Sequence, residues 1–204
     1  MATDSLFPAT PQPQKAMMTN PAETQYPILD VLANRRSPRA YDADATVSMT
    51  DLGPAFEAAR WAPSANNLQP WSFIVGYRGD DVHAKISETL SGFNADWAPT
   101  AGALVVGITN TVTASGRQNA YARYDLGQAV AHFSVQAQAN GLFVHQMGGF
   151  DIDALTVALG VNEPQEVVVV FSVGKAGSAD SLPEPLKERE EAPRERKPLS
   201  EVVR

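Results

Sequence analysis

Residues 166–173, with the sequence EVVVVFSV, constrain the fold more than any other part of the chain. This is a short, almost uninterrupted run of β-branched and aromatic residues, a pattern typical of a strand that is covered on both faces. Similar apolar runs at residues 71–77, 103–109 and 142–147 predict further strands. We therefore expect a β-sheet in which residues 166–173 form the central strand.

Segments with helical periodicity alternate with these strands. They are residues 27–34, 48–62, 80–90, 118–140 and 151–159. Ser48 and Asp51 resemble a capping box at the start of the second segment. The longest segment has apolar residues on two faces, one containing Phe133 and the other Tyr124. Such a helix is either central in the core or buried in a dimer interface.

The two ends of the chain differ in composition from its middle. Residues 1–25 are rich in proline and polar residues without periodicity, which predicts a flexible arm. Residues 26–177 have the size of a single domain. Residues 178–198 are charged and proline-rich, which predicts an extended segment. Because apolar residues follow it, at Leu199, Val202 and Val203, we expect residues 178–204 to dock on a surface.

Charge and residue types exclude several classes of function. The formal net charge of -7 disfavours nonspecific binding to nucleic acid or to anionic membranes. No run approaches the roughly 18 apolar residues of a membrane span. The sequence contains no cysteine, and its histidines lack metal-ligand spacing. We predict a cytoplasmic protein without a metal site, in which a bound cofactor supplies any catalysis.

Basic residues are concentrated in two places that are far apart in the sequence. The first cluster contains Arg35, Arg36, Ser37 and Arg39, and the second contains Arg194 and Arg196. Guanidinium groups and a serine hydroxyl match the oxygens of a phosphate. If both clusters converge, they form a site for a phosphomonoester. Taken singly, each cluster is better explained as a solvated basic turn or tail.

The connector APSANNLQPW, residues 62–71, carries three carboxamides and no charge. Its candidate binding residues are Pro63, Ser64, Ala65, Asn67 and Gln69. The proline ends a helix, and the two small residues allow backbone to approach a ligand. The two amides each offer a donor and an acceptor, as a neutral ring with alternating carbonyl and N–H groups requires. The structural alternative is an asparagine-rich turn beside a buried tryptophan.

Together, these clusters fit a ligand with a phosphate at one end and an imide-like ring at the other. Flavin mononucleotide (FMN) has this shape. The loop HQMGGFD, residues 145–151, contains paired glycines that let backbone N–H groups approach the edge of a planar ring. A donor near the flavin N5 atom would stabilise the reduced state.

The sequence resembles the FMN-dependent nitroreductase family over residues 28–203. The resemblance rests on five motifs that occur in family order, which are RRSPRAYD, APSANNLQPWSF, YDLGQAVAHFSVQAQANGL, GGFD with a following helix, and RERKPLSEVV. It implies an α+β fold in which helices surround a mixed β-sheet. It also implies an intertwined homodimer with two FMN sites at the interface, in which the C-terminal segment reaches across to the partner subunit.

The same resemblance implies the chemistry. NAD(P)H would deliver hydride to the flavin N5 atom, and a nitroaromatic or quinone-type acceptor would then be reduced in a ping-pong cycle without a catalytic side chain. Two alternatives remain at this point. One is a divergent family member that dehydrogenates or dehalogenates a dedicated substrate, or consumes the flavin. The other is a flavin-binding protein without turnover.

Motif position assigns the cofactor contacts that the resemblance implies. Those of the phosphate and ribityl end are Arg35, Arg36, Ser37, Arg39, Arg194 and Arg196. Those contributed by the other subunit are Pro63, Ser64, Ala65, Asn67 and Gln69, with Asn67 rather than Asn66 in the family register. Those around the ring are Asn94, Gln146, Met147, Gly148 and Gly149.

Three features depart from the family pattern. Gly148 stands where members often have a glutamate, so only its backbone N–H carries over. Trp97 stands where some members have a lysine, which predicts an aromatic wall at the site. The connection after Thr109 is short where larger members have a helical lid. We therefore expect a more open site, or one covered by the N-terminal arm.

Overall fold

The computed structural model describes residues 21–204, so most of the predicted N-terminal arm lies outside the described residues. Four strands form one sheet in the described part of the chain, in the order β1-β2-β4-β3. Their bounds are Trp71–Tyr77 for β1, Ala103–Asn110 for β2, Phe143–Met147 for β3 and Gln165–Gly174 for β4. The predicted central position of the EVVVVFSV segment is confirmed, because β4 lies between β2 and β3.

Every pairing among the described strands is antiparallel, so the mixed sheet that the resemblance implied does not form within one chain. The reason lies in the topology. The connection from β2 to β3 is a crossover, which leaves those two strands pointing in the same direction. Strand β4 then inserts between them in the opposite direction. The predicted α+β class is confirmed.

Helices cover both faces of the sheet. Their bounds are Asp30–Asn34 for α1, Met49–Arg60 for α2, Asp81–Thr89 for α3, Asn94–Trp97 for α4, Ala122–Ala139 for α5, Ile152–Leu159 for α6, Leu186–Glu191 for α7 and Leu199–Val202 for α8. The predicted capping box is present, since the backbone N–H of Ser48 donates to Oδ2 of Asp51 at 2.8 Å. Helix α5 begins later than predicted, because Gln118 pairs with Val112 in a β-bridge.

The hydrophobic core has two layers, one on each side of the sheet. Helices α2 and α5 pack on one face around Phe133 and Phe171, whereas α3 and α6 pack on the other around Leu155 and Val170. Val170 and Phe171 are neighbours in β4 and point to opposite faces, as the two-residue period of a strand requires. Residues 167–171 of β4 are therefore all apolar, because both faces of the strand pack against core layers.

The predicted extended segment after residue 177 is wrong in its first half. Leu182 and Leu186 are buried in the core layer of α3 and α6, and Leu186 begins the short helix α7. The charged and proline-rich composition of this segment gave no indication that these two leucines, which lie four residues apart, are buried. The segment therefore folds back onto its own chain before it reaches the exposed residues Leu199 and Val202.

Candidate functional site

The two basic clusters of the sequence lie around one cavity of about 270 Å³. Its charged and hydroxyl-bearing lining residues are Arg35, Arg36, Ser37, Arg39, Arg189, Glu190, Arg194, Glu195 and Arg196. The loop between α1 and α2 supplies one side of this arginine cavity, and the segment that contains and follows α7 supplies the other. The convergence that a phosphate site requires is therefore present within a single chain.

The guanidinium groups of the arginine cavity influence one another. Burial lowers the pKa of Arg35, and the nearby positive charge of Arg196 lowers it further. Burial likewise lowers the pKa of Arg194, with smaller contributions from Arg35, Arg196 and Arg36. Because clustered positive charges repel each other, a bound anion would relieve this repulsion. The cavity has the charge and the donors that a phosphate needs.

Sequence reasoning missed Glu190, which lies at the wall of the arginine cavity. Its side chain is 6% exposed and forms an ion pair with Arg36. It also accepts a hydrogen bond of 2.9 Å from the backbone N–H of Arg39. The available signal was its spacing from Leu186, because residues four apart share one face of a helix and this face of α7 is buried.

A second group of predicted residues surrounds the turn after β3. Nδ2 of Asn94 and the backbone N–H of Ser91 both donate to the carbonyl oxygen of Gly149, at 3.2 and 3.0 Å. Gln146 donates from Nε2 to Oγ of Ser134, and Met147 is buried. A Cβ atom at Gly149 would lie only 2.8 Å from Nδ2 of Asn94, so a larger residue here would displace the Asn94 amide.

Aromatic residues connect the turn to the arginine cavity. His145 donates from Nδ1 to the carbonyl oxygen of Pro38 at 2.9 Å, and its ring lies 4.5 Å from that of Trp97. Burial lowers the pKa of His145 to about 4, so the ring is neutral near pH 7. The Arg189 guanidinium, which lines the arginine cavity, lies 5.0 Å from the ring centre of Phe93, the residue that precedes Asn94.

The predicted aromatic wall at Trp97 is wrong. Trp97 is only 2% exposed and belongs to the hydrophobic core, where it stacks on Tyr41. Its indole packs against Tyr41 and His145 and does not line the arginine cavity. The reason is that Trp97 ends the short helix α4, which sequence reasoning did not identify, and this helix turns the ring inward.

The carboxamide loop, residues 63–69, has an unusual backbone. Asn66, Asn67 and Gln69 have positive φ angles of 51°, 56° and 47°, a region that non-glycine residues rarely occupy. The backbone N–H of Gln69 donates to Oγ of Ser64 at 3.0 Å, and that of Ala65 donates to Oδ2 of Asp125 at 3.1 Å. Strained backbone of this kind is concentrated at functional sites.

Asp125 is a second residue that sequence reasoning missed. Its carboxylate is buried in the first turn of α5, with 1% exposure of the residue, and it holds the carboxamide loop through Ala65. The side chains of Asn66, Asn67 and Gln69 remain on the surface. The loop therefore presents its amides outward on a fixed backbone.

Within one chain, the carboxamide loop lies far from the arginine cavity. His145, beside that cavity, aligns across the sheet with Ser172, Leu104 and Gly76, whereas the loop precedes Trp71 at the other end of β1. Five residues of strand and three strand spacings separate them, which amounts to roughly 20 Å. The two groups also pack with opposite core layers. The two groups of one chain therefore lie apart, towards opposite ends of the sheet.

Two classes of site receive no support from the described residues. Within residues 21–204, no group of three or more histidine, aspartate or glutamate side chains is placed to hold a metal ion. No helix in this part of the chain has the length and apolarity needed to cross a membrane.

Comparison with known proteins identifies the family. The model of the nitroreductase family matches residues 32–105 and 80–175. An uncharacterized 15.4 kDa protein of Mycolicibacterium smegmatis is 32% identical over 138 residues, which cover 64% of this chain and 92% of that protein. The major NAD(P)H-flavin oxidoreductase of Aliivibrio fischeri is 44% identical over 50 residues, which cover 24% of this chain and 23% of that protein.

The structural comparison agrees. A crystal structure of an oxidoreductase containing FMN superposes with a TM-score of 0.84 and 30% sequence identity, over 89% of this chain and 92% of that one. These matches extend over both core layers and over most of the predicted motifs. They confirm the resemblance on which the sequence-based prediction was built. The chain belongs to the nitroreductase family.

Proposed function

We propose that this protein is an FMN-dependent oxidoreductase that uses NAD(P)H to reduce nitroaromatic or quinone-type acceptors. The observation that carries the proposal is the arginine cavity, in which two clusters of basic residues converge from distant parts of a nitroreductase-family chain. The FMN-containing structural relative and the flavin oxidoreductase relative support the choice of cofactor.

The arginine cavity would hold the phosphate end of FMN. Its proposed ligands are Arg35, Arg36, Ser37, Arg39, Arg194 and Arg196. Their guanidinium groups provide planar pairs of donors, which suit phosphate oxygens better than a single ammonium group does. Burial and, to a smaller extent, repulsion among the neighbouring arginines lower the pKa of Arg35 and Arg194, and the phosphate charge would offset this repulsion.

The turn after β3 would face the flavin ring. Its proposed contacts are Asn94, Gln146, Met147, Gly148 and Gly149. Among the described residues, an added Cβ atom at Gly148 meets no atom within 4 Å, so the backbone there is open to a ligand. When bound, FMN supplies the hydride-accepting ring, so no side chain has to act as a nucleophile or metal ligand. The chain would bind the ring, orient it and hold N–H donors at its edge.

A second copy of the chain would complete the site. The carboxamide loop lies roughly 20 Å from the arginine cavity of its own chain. We therefore propose that its residues Pro63, Ser64, Ala65, Asn67 and Gln69 contact the FMN held by the partner subunit. The exposed face of α5 supports this homodimer, because Tyr124 is 66% exposed there and Tyr121 lies beside it. Tyr124 belongs to the second apolar face of this helix noted in the sequence.

The termini would also take part in the dimer. Residues of α1 and α8 line a groove of about 770 Å³ whose apolar members include Ile28, Leu32, Leu199 and Val202. Large apolar side chains that remain exposed along one groove mark an interaction surface. We propose that the partner subunit packs against this groove, so that the end of the C-terminal segment, which lines it, docks on the partner.

FMN uptake tests the cofactor assignment. We expect flavin-free protein to bind equimolar FMN, and Arg35→Ala to weaken that binding by about tenfold because one charged phosphate donor is lost. Fluorescence quenching of FMN on binding measures both values. A folded wild-type protein that takes up no FMN would rule out the proposed function.

Subunit complementation tests the shared site. Arg35→Ala damages the arginine cavity, whereas Asn67→Ala combined with Gln69→Ala damages the carboxamide loop. Hybrid dimers refolded from a mixture of both variants contain one site with neither change. We expect the mixture to bind more FMN than either variant alone. If mixing adds nothing, both halves of the site belong to the same chain.

A further inference from the structure

Glu190 stands out as a buried carboxylate inside the most basic region of the protein. It forms an ion pair with the Arg36 guanidinium, and its second carboxylate oxygen lies 3.8 Å from Nη1 of Arg39. The same oxygen accepts a 2.9 Å hydrogen bond from the backbone N–H of Arg39. In return, Arg36 donates to the backbone carbonyl oxygen of Glu190 at 3.0 Å. One side chain thus contacts two of the proposed phosphate ligands.

The Arg36–Glu190 pair forms a wall between two cavities. Both residues line the arginine cavity, and both also line a neighbouring cavity of about 420 Å³. The neighbouring cavity has a different character, since Asp180 and Glu191 lie on it. The ion pair therefore defines the boundary of the arginine cavity on this side.

Glu190 lowers the charge of the arginine cavity and also fixes its shape. Six arginines and two glutamates among the described residues line the cavity, which leaves a formal charge of +4. A carboxylate among these arginines would weaken anion binding if it acted only through its charge. Its contacts, however, hold the backbone of Arg39 and the side chain of Arg36 in place. Buried donors and acceptors held in this way are pre-organised, which favours binding.

We propose that Glu190 is a positioning residue that fits the arginine cavity to a phosphomonoester group. This inference rests on the proposed function, because FMN is the ligand that brings the phosphate. Glu190 ties α7 to the loop of Arg36 and Arg39, so that both sides of the cavity keep a fixed separation. It thereby makes the site select a flavin that carries a phosphate over one that does not.

The test compares FMN with riboflavin, which has the same ring but no phosphate. We expect Glu190→Gln to weaken FMN binding by about tenfold, the usual effect of losing one charge-assisted contact, and to leave riboflavin binding unchanged. The ratio of the two affinities then falls, which general destabilisation of the protein would not cause. Glu188→Gln is the matched control, because Glu188 is exposed on the same helix and the change removes the same charge.

Glu190→Asp keeps the charge but shortens the side chain, so it separates position from charge. We expect it to lower the affinity ratio as well, and it carries the test if the glutamine variant does not fold. A ratio that stays constant or rises in these variants would overturn the inference while wild-type FMN binding still supports the proposed function. A wild-type protein that binds no FMN would overturn both.

Discussion

Replacing Gly149 by alanine tests the contact that joins the turn after β3 to α4. The new methyl group would lie 2.8 Å from Nδ2 of Asn94 and 3.4 Å from the carbonyl oxygen of Ser91. Because the Asn94 amide is the end of a flexible side chain, it is the group that moves. We therefore expect its 3.2 Å hydrogen bond to the carbonyl oxygen of Gly149 to break.

The expected magnitude follows from two opposing effects. A neutral hydrogen bond contributes about 1 kcal/mol to the free energy of unfolding. Replacing glycine by alanine restricts the unfolded chain and raises the same quantity by about 0.4–1 kcal/mol. Gly148→Ala is the matched control. It restricts the unfolded chain in the same way, and among the described residues its methyl group meets no atom within 4 Å. We expect Gly149→Ala to be about 1 kcal/mol less stable than Gly148→Ala.

Urea unfolding of the flavin-free protein measures this difference. The same pair of substitutions in an Asn94→Ala background provides the second arm, because the hydrogen bond is then already absent. We expect the difference between the two alanine variants to shrink there. Equal stability of the two variants in the wild-type background would contradict the expected loss of the Asn94 hydrogen bond, as would a difference that persists without Asn94.

Three further predictions concern the C-terminal segment, the carboxamide loop and the buried histidine. Leu186→Ala should lower the free energy of unfolding by about 2–5 kcal/mol in urea denaturation, because Leu186 is 1% exposed in the core. A loss typical of an exposed site would show that α7 does not dock on its own chain. Asn67→Ala should weaken FMN binding more than Asn66→Ala in a fluorescence titration, and equal effects would contradict the proposed register. His145 has a pKa of about 4, below its ordinary 6.5, so the unfolded chain binds a proton at pH 5 that the folded chain does not. The free energy of unfolding should therefore fall by about 2 kcal/mol between pH 7 and pH 5 through this residue, and His145→Phe should remove that part of the pH dependence.

The strands were predictable because a strand that is buried on both faces consists of consecutive apolar residues. Strand β1 begins and ends where the apolar run 71–77 does, and β4 extends the predicted 166–173 by one residue at each end. The antiparallel order was not predictable, since no local pattern shows that β4 inserts between β2 and β3. That arrangement depends on how α5 crosses the sheet.

The candidate site was predictable in its residue types but not in its supporting contacts. The clusters of arginines and carboxamides are visible in the sequence and indicate what they could bind, because burying such polar groups without a hydrogen-bond partner is unfavourable. The roles of Glu190 and Asp125 were not predicted, because a single carboxylate cannot be distinguished from a surface residue by sequence alone. Trp97 was assigned to the wrong environment because its burial depends on α4, which is only four residues long.

Anaerobic titration of the FMN-loaded protein with NADPH and with NADH tests the proposed oxidoreductase activity. We expect at least one of the two nicotinamides to bleach the visible absorption of the bound flavin at close to equimolar addition. Adding a quinone or a nitroaromatic compound should then restore that absorption. A bound flavin that neither nicotinamide reduces would contradict the proposed NAD(P)H-dependent oxidoreductase.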